Sequence, residues 1–191
     1  MKKILMTAAA VALLVGCANT NASTAPQLTF AHFTPISLNV QSSGVTEAYT
    51  NPNDPNDVSS QFVLAPSEAI KRYAANRFKA SGAGNGQFTI EIQDSRVHIR
   101  EIKQQSKVLA WADAGTEDEY HLYLTLRVIS APSGFNGNQS TTIKMDRTLV
   151  MPSKVTLAER EMRQVKFLEK LVTDVDGKIN EALELTPAIR N

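Results

Sequence analysis

The sequence predicts an α+β fold, a two-layer sandwich in which two helices cover one face of a four-stranded, mainly antiparallel sheet. In four segments apolar residues alternate with polar ones, which is the period of a half-buried strand. In two others apolar residues recur every three or four positions, which is the period of an amphipathic helix. These segments follow one another in the order strand, helix, strand, strand, strand, helix.

The first strand is predicted within residues 30–40, where Ile36, Leu38 and Val40 alternate with polar residues. Asparagine, aspartate and two prolines then crowd residues 51–57, a composition typical of a loop. The acidic residues there suggest calcium, but their spacing is not that of an EF-hand loop. We therefore interpret 51–57 as a solvated loop.

The first helix is predicted over residues 66–79. Pro66 suits the first helical position, where no amide donor is needed, and Glu68 places a carboxylate in the first turn. One face of this helix carries Ile70, Tyr73, Ala74 and Phe78. The glycine-rich run 82–86 follows the helix, whereas a phosphate-binding loop precedes one, so we interpret it as a turn from helix to strand.

The second strand is predicted at 87–93, with Phe88, Ile90 and Ile92 on one face. The alternation resumes at Val97 and Ile99, shifted by one residue. Because a strand keeps one side chain in two on each face, the shift predicts a bulge or a turn.

The third strand has the clearest alternation, with five apolar residues at every second position: Tyr120, Leu122, Leu124, Leu126 and Val128. Its other face is polar with one aromatic residue, Tyr123, between His121, Thr125 and Arg127. That face is either solvated or the place where a partner docks, which makes Tyr123 a candidate partner contact.

Asn136-Gly137 supports a hairpin into the fourth strand, predicted at 142–151, where Arg147 interrupts the apolar face. The last helix is predicted at 157–185 and is ended by Pro187. It carries an apolar stripe, and Gly177 weakens it by about 1 kcal/mol relative to alanine. Since the stripe is one face wide, we expect the helix to pack on the sheet; the alternative is a coiled-coil partner.

The N-terminus combines Lys2 and Lys3 with an apolar run over 4–16. The run is shorter than the roughly 20 residues that span a membrane, so it is typical of a secretory signal. The end of the run, Leu14-Val15-Gly16-Cys17, resembles the lipobox of bacterial lipoproteins. The resemblance implies that Cys17, the only cysteine, is lipidated.

These features divide the chain into a signal peptide (1–16), lipidated Cys17 with a flexible tether (17–28), and a single α+β domain (29–191). By resemblance to sorted lipoproteins of double-membrane bacteria, Ala18 favours the periplasmic face of the outer membrane over the inner membrane. With 20 basic and 19 acidic side chains, the sequence gives no electrostatic reason to expect nucleic acid as a partner.

The sequence contains no pattern that predicts catalysis. His32, His98 and His121 are far apart in sequence, and a zinc site needs three or four converging ligands. No Gly-x-Ser-x-Gly motif is present. We therefore expect neither an enzyme, nor a metal site, nor a cofactor. Trp111, the single tryptophan, either packs on the core or anchors a partner contact, since aromatic residues are enriched at interface hot spots.

The layout resembles that of small periplasmic accessory lipoproteins, namely the lipopolysaccharide-assembly lipoprotein that plugs an outer-membrane barrel and the auxiliary lipoproteins of ABC-type lipid transporters. Three features carry the resemblance: the lipobox at Cys17, the element order over 30–185, and the join of strand four (147–152) to the last helix. It implies no functional residues.

The expected function is therefore that of a membrane-anchored, non-enzymatic binding or assembly accessory with an envelope protein partner, in lipid or lipopolysaccharide handling. One alternative is a carrier of an apolar ligand, which predicts a hollow core between helices and sheet. The other is an enzyme of unknown type, which predicts polar residues converging in a cleft.

Overall fold

The structure is a computed structural model that describes residues 28–48, 54–82, 84–103, 115–134 and 137–189. The predicted signal peptide, the lipidation site Cys17 and the candidate contact Trp111 lie outside these ranges. Within them the elements are β1 (Ile36–Leu38), β2 (Ser42–Glu47), α1 (Pro66–Arg77), β3 (Phe78–Ala80), β4 (Gln87–Lys103), β5 (Thr116–Ala131), β6 (Gln139–Pro152) and α2 (Leu157–Glu184), with 3₁₀ turns at Ser59–Gln61 and Pro187–Ile189.

The main sheet has four strands in the order β2-β4-β5-β6. β4, β5 and β6 form an antiparallel meander, while β2 pairs with β4 in parallel. A parallel pair needs a crossover connection, and α1 with β3 supplies it. Together with the two helices, this sheet confirms the predicted α+β class.

The first strand differs from the prediction. Only Ile36–Leu38 of the predicted 30–40 segment is a strand, and it pairs with β3 in a separate two-stranded parallel sheet. The edge of the main sheet is instead β2, which the sequence did not predict. Its six residues, Ser42–Glu47, include a single large apolar side chain, Val45, and therefore show no alternation.

The first helix begins at Pro66 as predicted but ends at Arg77, two residues early. Phe78 has extended backbone angles (φ −109°, ψ 114°) and opens β3, where its side chain is buried. The prediction that Phe78 lies on the helix was therefore wrong. Its spacing fits the apolar face of a helix, but a buried residue at the start of a strand fits the same position.

The predicted bulge in β4 is confirmed. Ile92 lies opposite Leu126 and Asp94 opposite Thr125, so Gln93 is an extra residue on β4. The two halves of this strand consequently have opposite parity, and Val97 returns to the buried face.

Both helices contribute to one core against the same sheet face. The α2 side of it is formed by fully or nearly fully buried residues: Val165, Leu168, Leu171, Val172, Val175, Ile179 and Leu183. Thr156 caps this helix by accepting a hydrogen bond from the Glu159 amide. Arg147, which interrupts the apolar parity of β6, reaches Asp174 on α2 with its Nη2 at 3.0 Å. Among the described residues, neither helix has the length and hydropathy needed to cross a membrane.

Candidate functional site

The sheet face opposite the helices, here called the open face, is the candidate site. Side chains alternate across a strand, so every second residue of β4, β5 and β6 lies on it. Its residues include Thr89, Glu91, Asp94, Arg96, His98, Arg100, Glu119, His121, Tyr123, Thr125, Arg127, Ile129, Ser140, Thr142, Lys144, Asp146, Thr148 and Val150. The face is mainly polar, with Ile129 and Val150 toward opposite ends of it and one aromatic residue at its centre.

That aromatic residue, Tyr123, lies between Arg96 on β4 and Asp146 on β6. The His98 ring meets it edge-on, with centroids 5.4 Å apart, and the His121 ring lies nearly parallel to it at 6.5 Å. The Arg96 guanidinium carbon is 6.0 Å from the Tyr123 ring centroid. Three side chains therefore contact the ring and hold it in place.

The hydroxyl of Tyr123 is free to bind. Among the described residues, no side chain or backbone group forms a hydrogen bond with it. A phenol both donates and accepts a hydrogen bond, so Tyr123 offers a partner an apolar ring and a polar tip.

One border of the site is formed by residues 54–58, which lie along β4 beyond the end of β2. The Val58 amide donates to the Val97 carbonyl at 2.8 Å, and the Val97 amide donates to Oδ1 of Asp57 at 3.1 Å. Asp54 then reaches the open face, where its Oδ2 lies 2.8 Å from Nε2 of His98. The predicted loop is confirmed for 54–57, where Pro55 and Asn56 form an exposed turn, but its contacts with β4 through Asp54 and Asp57 were not predicted. Residues 51–53 lie outside the described ranges.

Carboxylates accompany the cationic side chains of the open face. Arg96 binds Asp94 with two hydrogen bonds of 3.0 and 2.8 Å. Arg100 lies 3.1 Å from both carboxylate oxygens of Glu119, which also contacts Nε2 of His121. The two histidines lie directly opposite each other on β4 and β5, but each binds a different carboxylate.

These contacts hold the carboxylates in the charged state. A hydrogen bond from the Asn56 amide, followed by the contact with His98, keeps the pKa of Asp54 below its usual value. The Arg100 guanidinium, followed by His121, does the same for the pKa of Glu119. Both side chains therefore carry negative charge at neutral pH.

The histidines and carboxylates of the open face form separate small groups. Across the described ranges, no group of three His, Cys, Asp or Glu side chains could hold a metal ion. His32 stands apart from the other two histidines, since its ring stacks on Phe33, which contacts Tyr73 on α1. The open face is thus an array of paired polar groups around one half-buried aromatic ring, Tyr123.

Two grooves of about 540 Å³ each lie at the edges of the main sheet, and one of them reaches the open face at Lys144 and Asp146. One runs between β2 and α1, and the other runs between β6 and α2. Both open at the surface, whereas the residues between helices and sheet, such as Leu168 and Val172, are fully buried.

Part of this site is predictable from the sequence. The alternation in β5 identified Tyr123 together with His121, Thr125 and Arg127. It missed Asp54 and Arg96, because the first depends on the path of a loop and the second on the bulge at Gln93. The parity shift after Ile92 was the available signal for Arg96 and His98, since it reverses which residues leave the core.

The fold and the open face define a class of protein: a small α+β sandwich with a polar, aromatic-centred surface on its sheet. No protein-family model matches this chain, and no curated protein matches its sequence.

Proposed function

We propose that the protein is a membrane-anchored bacterial lipoprotein that acts as a non-enzymatic binding or assembly accessory in the cell envelope. The open face is the surface that binds a protein partner. One observation carries this proposal: Tyr123 is held by Arg96, His98 and His121 with its hydroxyl free. Tyrosine and arginine are enriched among the residues that dominate binding energy in protein interfaces.

The lipobox supports the location. Lipidation of Cys17 would keep the protein on a membrane, because two or three acyl chains anchor firmly. Ala18 favours the outer membrane, with the domain facing the periplasm. A tether over 17–27 reaches about 35 Å when extended, which lets the domain turn its open face toward a neighbouring envelope protein. Handling of lipid or lipopolysaccharide is the process that the resemblance to accessory lipoproteins implies.

Site-specific crosslinking in cells tests the docking surface. A photo-crosslinking phenylalanine analogue replaces Tyr123, and the matched control carries the same analogue at Lys170, an exposed position on α2. We expect a discrete adduct with an envelope protein from position 123 and none from position 170. Tyr123→Ala should weaken binding to the captured partner roughly 30-fold or more, since hot-spot truncation costs about 2 kcal/mol. Equal labelling from both positions would disprove the docking surface.

Fractionation tests the anchor independently. Wild type and Cys17→Ala are expressed in a double-membrane bacterium, and the mature N-terminus is measured by mass spectrometry. We expect acylated Cys17 in the outer-membrane fraction for wild type and a soluble Cys17→Ala protein. A soluble, unacylated wild-type protein would remove the anchor while leaving the crosslinking result to decide the docking surface.

A carrier of an apolar ligand is the second candidate, but its ligand would lie in the groove between β2 and α1 and not between helices and sheet, where Leu168 and Val172 are fully buried. Val45, Ala74, Phe78 and Phe88 line its wall, and Lys71 and Lys79 stand beside them. Ala75 of α1 is exposed and also lines this groove, so a larger side chain there would narrow it. If a fluorescent fatty acid binds wild type but not Ala75→Leu, the carrier function replaces the docking function.

A further inference from the structure

Strand β6 leaves one edge of the main sheet unpaired. It pairs with β5 on one side, and within the described ranges no strand pairs with its other side. The strand is long, running from Gln139 to Pro152. An unpaired edge of this length presents a row of amide and carbonyl groups that can accept another strand.

The edge is accessible, and the Asp146 carbonyl, which accepts a hydrogen bond of 2.9 Å from Nη1 of Arg147, keeps a second lone pair for another strand. The groove between β6 and α2 is lined by Lys144 and Asp146, which belong to the open face, and also by Met145, which belongs to the core face. Because residues from both faces of the strand line one groove, that groove lies beside the edge itself. Gly177 and Lys178 of α2 form its other wall.

Two opposite charges mark the middle of this edge. Lys144 and Asp146 are exposed, lie on the same face of β6, and form no ion pair with another described residue. A lysine alone on an edge strand discourages strand addition. A lysine with an aspartate two residues further on is self-complementary when the same strand meets it running in the opposite direction.

We propose that β6 pairs with β6 of a second copy of this chain, antiparallel, about a two-fold axis at Met145. This register places Lys144 directly opposite Asp146 of the second copy, and Asp146 opposite its Lys144. Thr142 then faces Thr148. The two main sheets join into one continuous sheet of eight strands, and the edge that β6 would otherwise leave open is removed.

The helix layer fits this arrangement. In a two-fold pair, α2 of each copy lies beside the shared edge on the same side of the joined sheet. Gly177 and Met145 line the same groove, and a Cβ at Gly177 would meet nothing within 4 Å in a single copy. Glycine destabilises a helix interior relative to alanine, so one copy alone gains nothing from it. Between two copies, the missing side chain lets the α2 helices approach closely.

Charge reversal tests the pairing on the full chain, processed in its expression host and purified in mild detergent. The oligomeric mass of wild type, Lys144→Glu, Asp146→Lys and the double variant is measured by native mass spectrometry over a dilution series. Lys170→Glu, an exposed charge reversal on α2, is the matched control. Each protein, including the Gly177→Phe variants described next, is checked for a native circular dichroism spectrum.

Wild type and Lys170→Glu should be dimers. Each single reversal at position 144 or 146 places like charges opposite each other at two points of the dimer. It should raise the dissociation constant of the dimer about tenfold or more. The double variant restores both opposite-charge pairs and should return to the wild-type constant. Gly177→Phe fills the space between the helices. It should be monomeric both with the wild-type charges and with the double reversal at positions 144 and 146.

Two results overturn the proposal. One is a wild-type chain that stays monomeric at concentrations up to roughly 100 µM. The other is a dimer whose dissociation constant is unchanged by both single reversals, or a double variant whose dissociation constant does not return to the wild-type value. Either result would mean that Lys144 and Asp146 only protect the edge of a monomer.

Discussion

The Tyr73 hydroxyl on α1 donates a hydrogen bond to Oδ1 of Asp176 on α2 across 2.6 Å. Nε of Arg77 donates to the same oxygen at 2.7 Å, and the Asn180 amide donates to Oδ2 at 2.8 Å. The side chains of Arg77 and Asp176 are only 13% and 14% exposed. One carboxylate of α2 therefore binds two side chains of α1, Tyr73 and Arg77, and is held by Asn180 of its own helix.

Removing this carboxylate should destabilise the fold strongly. Asp176→Ala leaves the Arg77 guanidinium and the buried Tyr73 hydroxyl without their partner, which we expect to cost about 3 kcal/mol of unfolding free energy. Tyr73→Phe removes one hydrogen bond and should cost about 1 kcal/mol. Urea denaturation followed by circular dichroism measures both, with Glu169→Ala on the exposed side of α2 as the control. Equal stabilities for Asp176→Ala and the control would refute the role of the carboxylate.

Stability should fall at alkaline pH because of the same contact. Burial, followed by the hydrogen bond to Asp176, raises the pKa of Tyr73 far above its ordinary value of 10.0. A raised folded-state pKa gives stability that is complete below pH 10 and is lost as pH rises beyond it. Absorbance of the phenolate should therefore show Tyr73 ionising together with unfolding. In Tyr73→Phe that late step should be absent; its persistence would assign the step to another tyrosine.

Acid should reduce the stability that the carboxylates of the open face contribute to the fold. The pKa values of Asp54 and Glu119 are lowered from ordinary values of 3.8 and 4.5. Their contribution is present above those values and is lost as pH falls through the lower folded-state values. Urea midpoints measured between about pH 6 and pH 3 should thus fall less steeply for Asp54→Asn than for wild type. Identical slopes would show that Asp54 gains nothing from the Asn56 amide and His98.

Two glycines should respond in opposite ways to alanine. A Cβ at Gly86 would lie 2.6 Å from the Ala131 carbonyl oxygen and equally close to the Ser133 amide nitrogen, both rigid backbone atoms. We expect Gly86→Ala to cost about 1–3 kcal/mol through overpacking. Gly44→Ala, which meets nothing within 4 Å, should be neutral or slightly stabilising. Thermal denaturation of the two variants side by side checks the difference, and equal shifts would contradict the close approach at Gly86.

The alternation and helical spacing predicted the elements that contain many apolar residues. β5 and α2 each repeat their pattern over several turns or pleats, so a few atypical residues such as Gly177 do not obscure it. Even the bulge at Gln93 was visible, because a single extra residue reverses the parity of every position after it. The α+β class followed from the order of these segments.

Short elements and long-range contacts were not predictable in this way. β3 contains three residues, and its Phe78 also fits the apolar face of α1. β2 has a single large apolar residue, so its pairing with β4 depends on a contact distant in sequence. The neighbours of Tyr123 on β4 and in the loop at Asp54 depend on strand register and loop path, neither of which leaves a periodic signal.

The parallel pairing of β2 with β4 also has a consequence for the order of folding. β4, β5, β6 and α2 are consecutive, so their contacts close over short stretches of chain, whereas β2 meets β4 only after the whole of residues 48–86 has been arranged. Distant contacts form more slowly, because the chain between them must first lose its freedom. β2 is synthesised before β4, β5 and β6, yet we expect it to reach its place in the sheet after them. Pulsed hydrogen exchange should find the amides of β2 protected after those of β5.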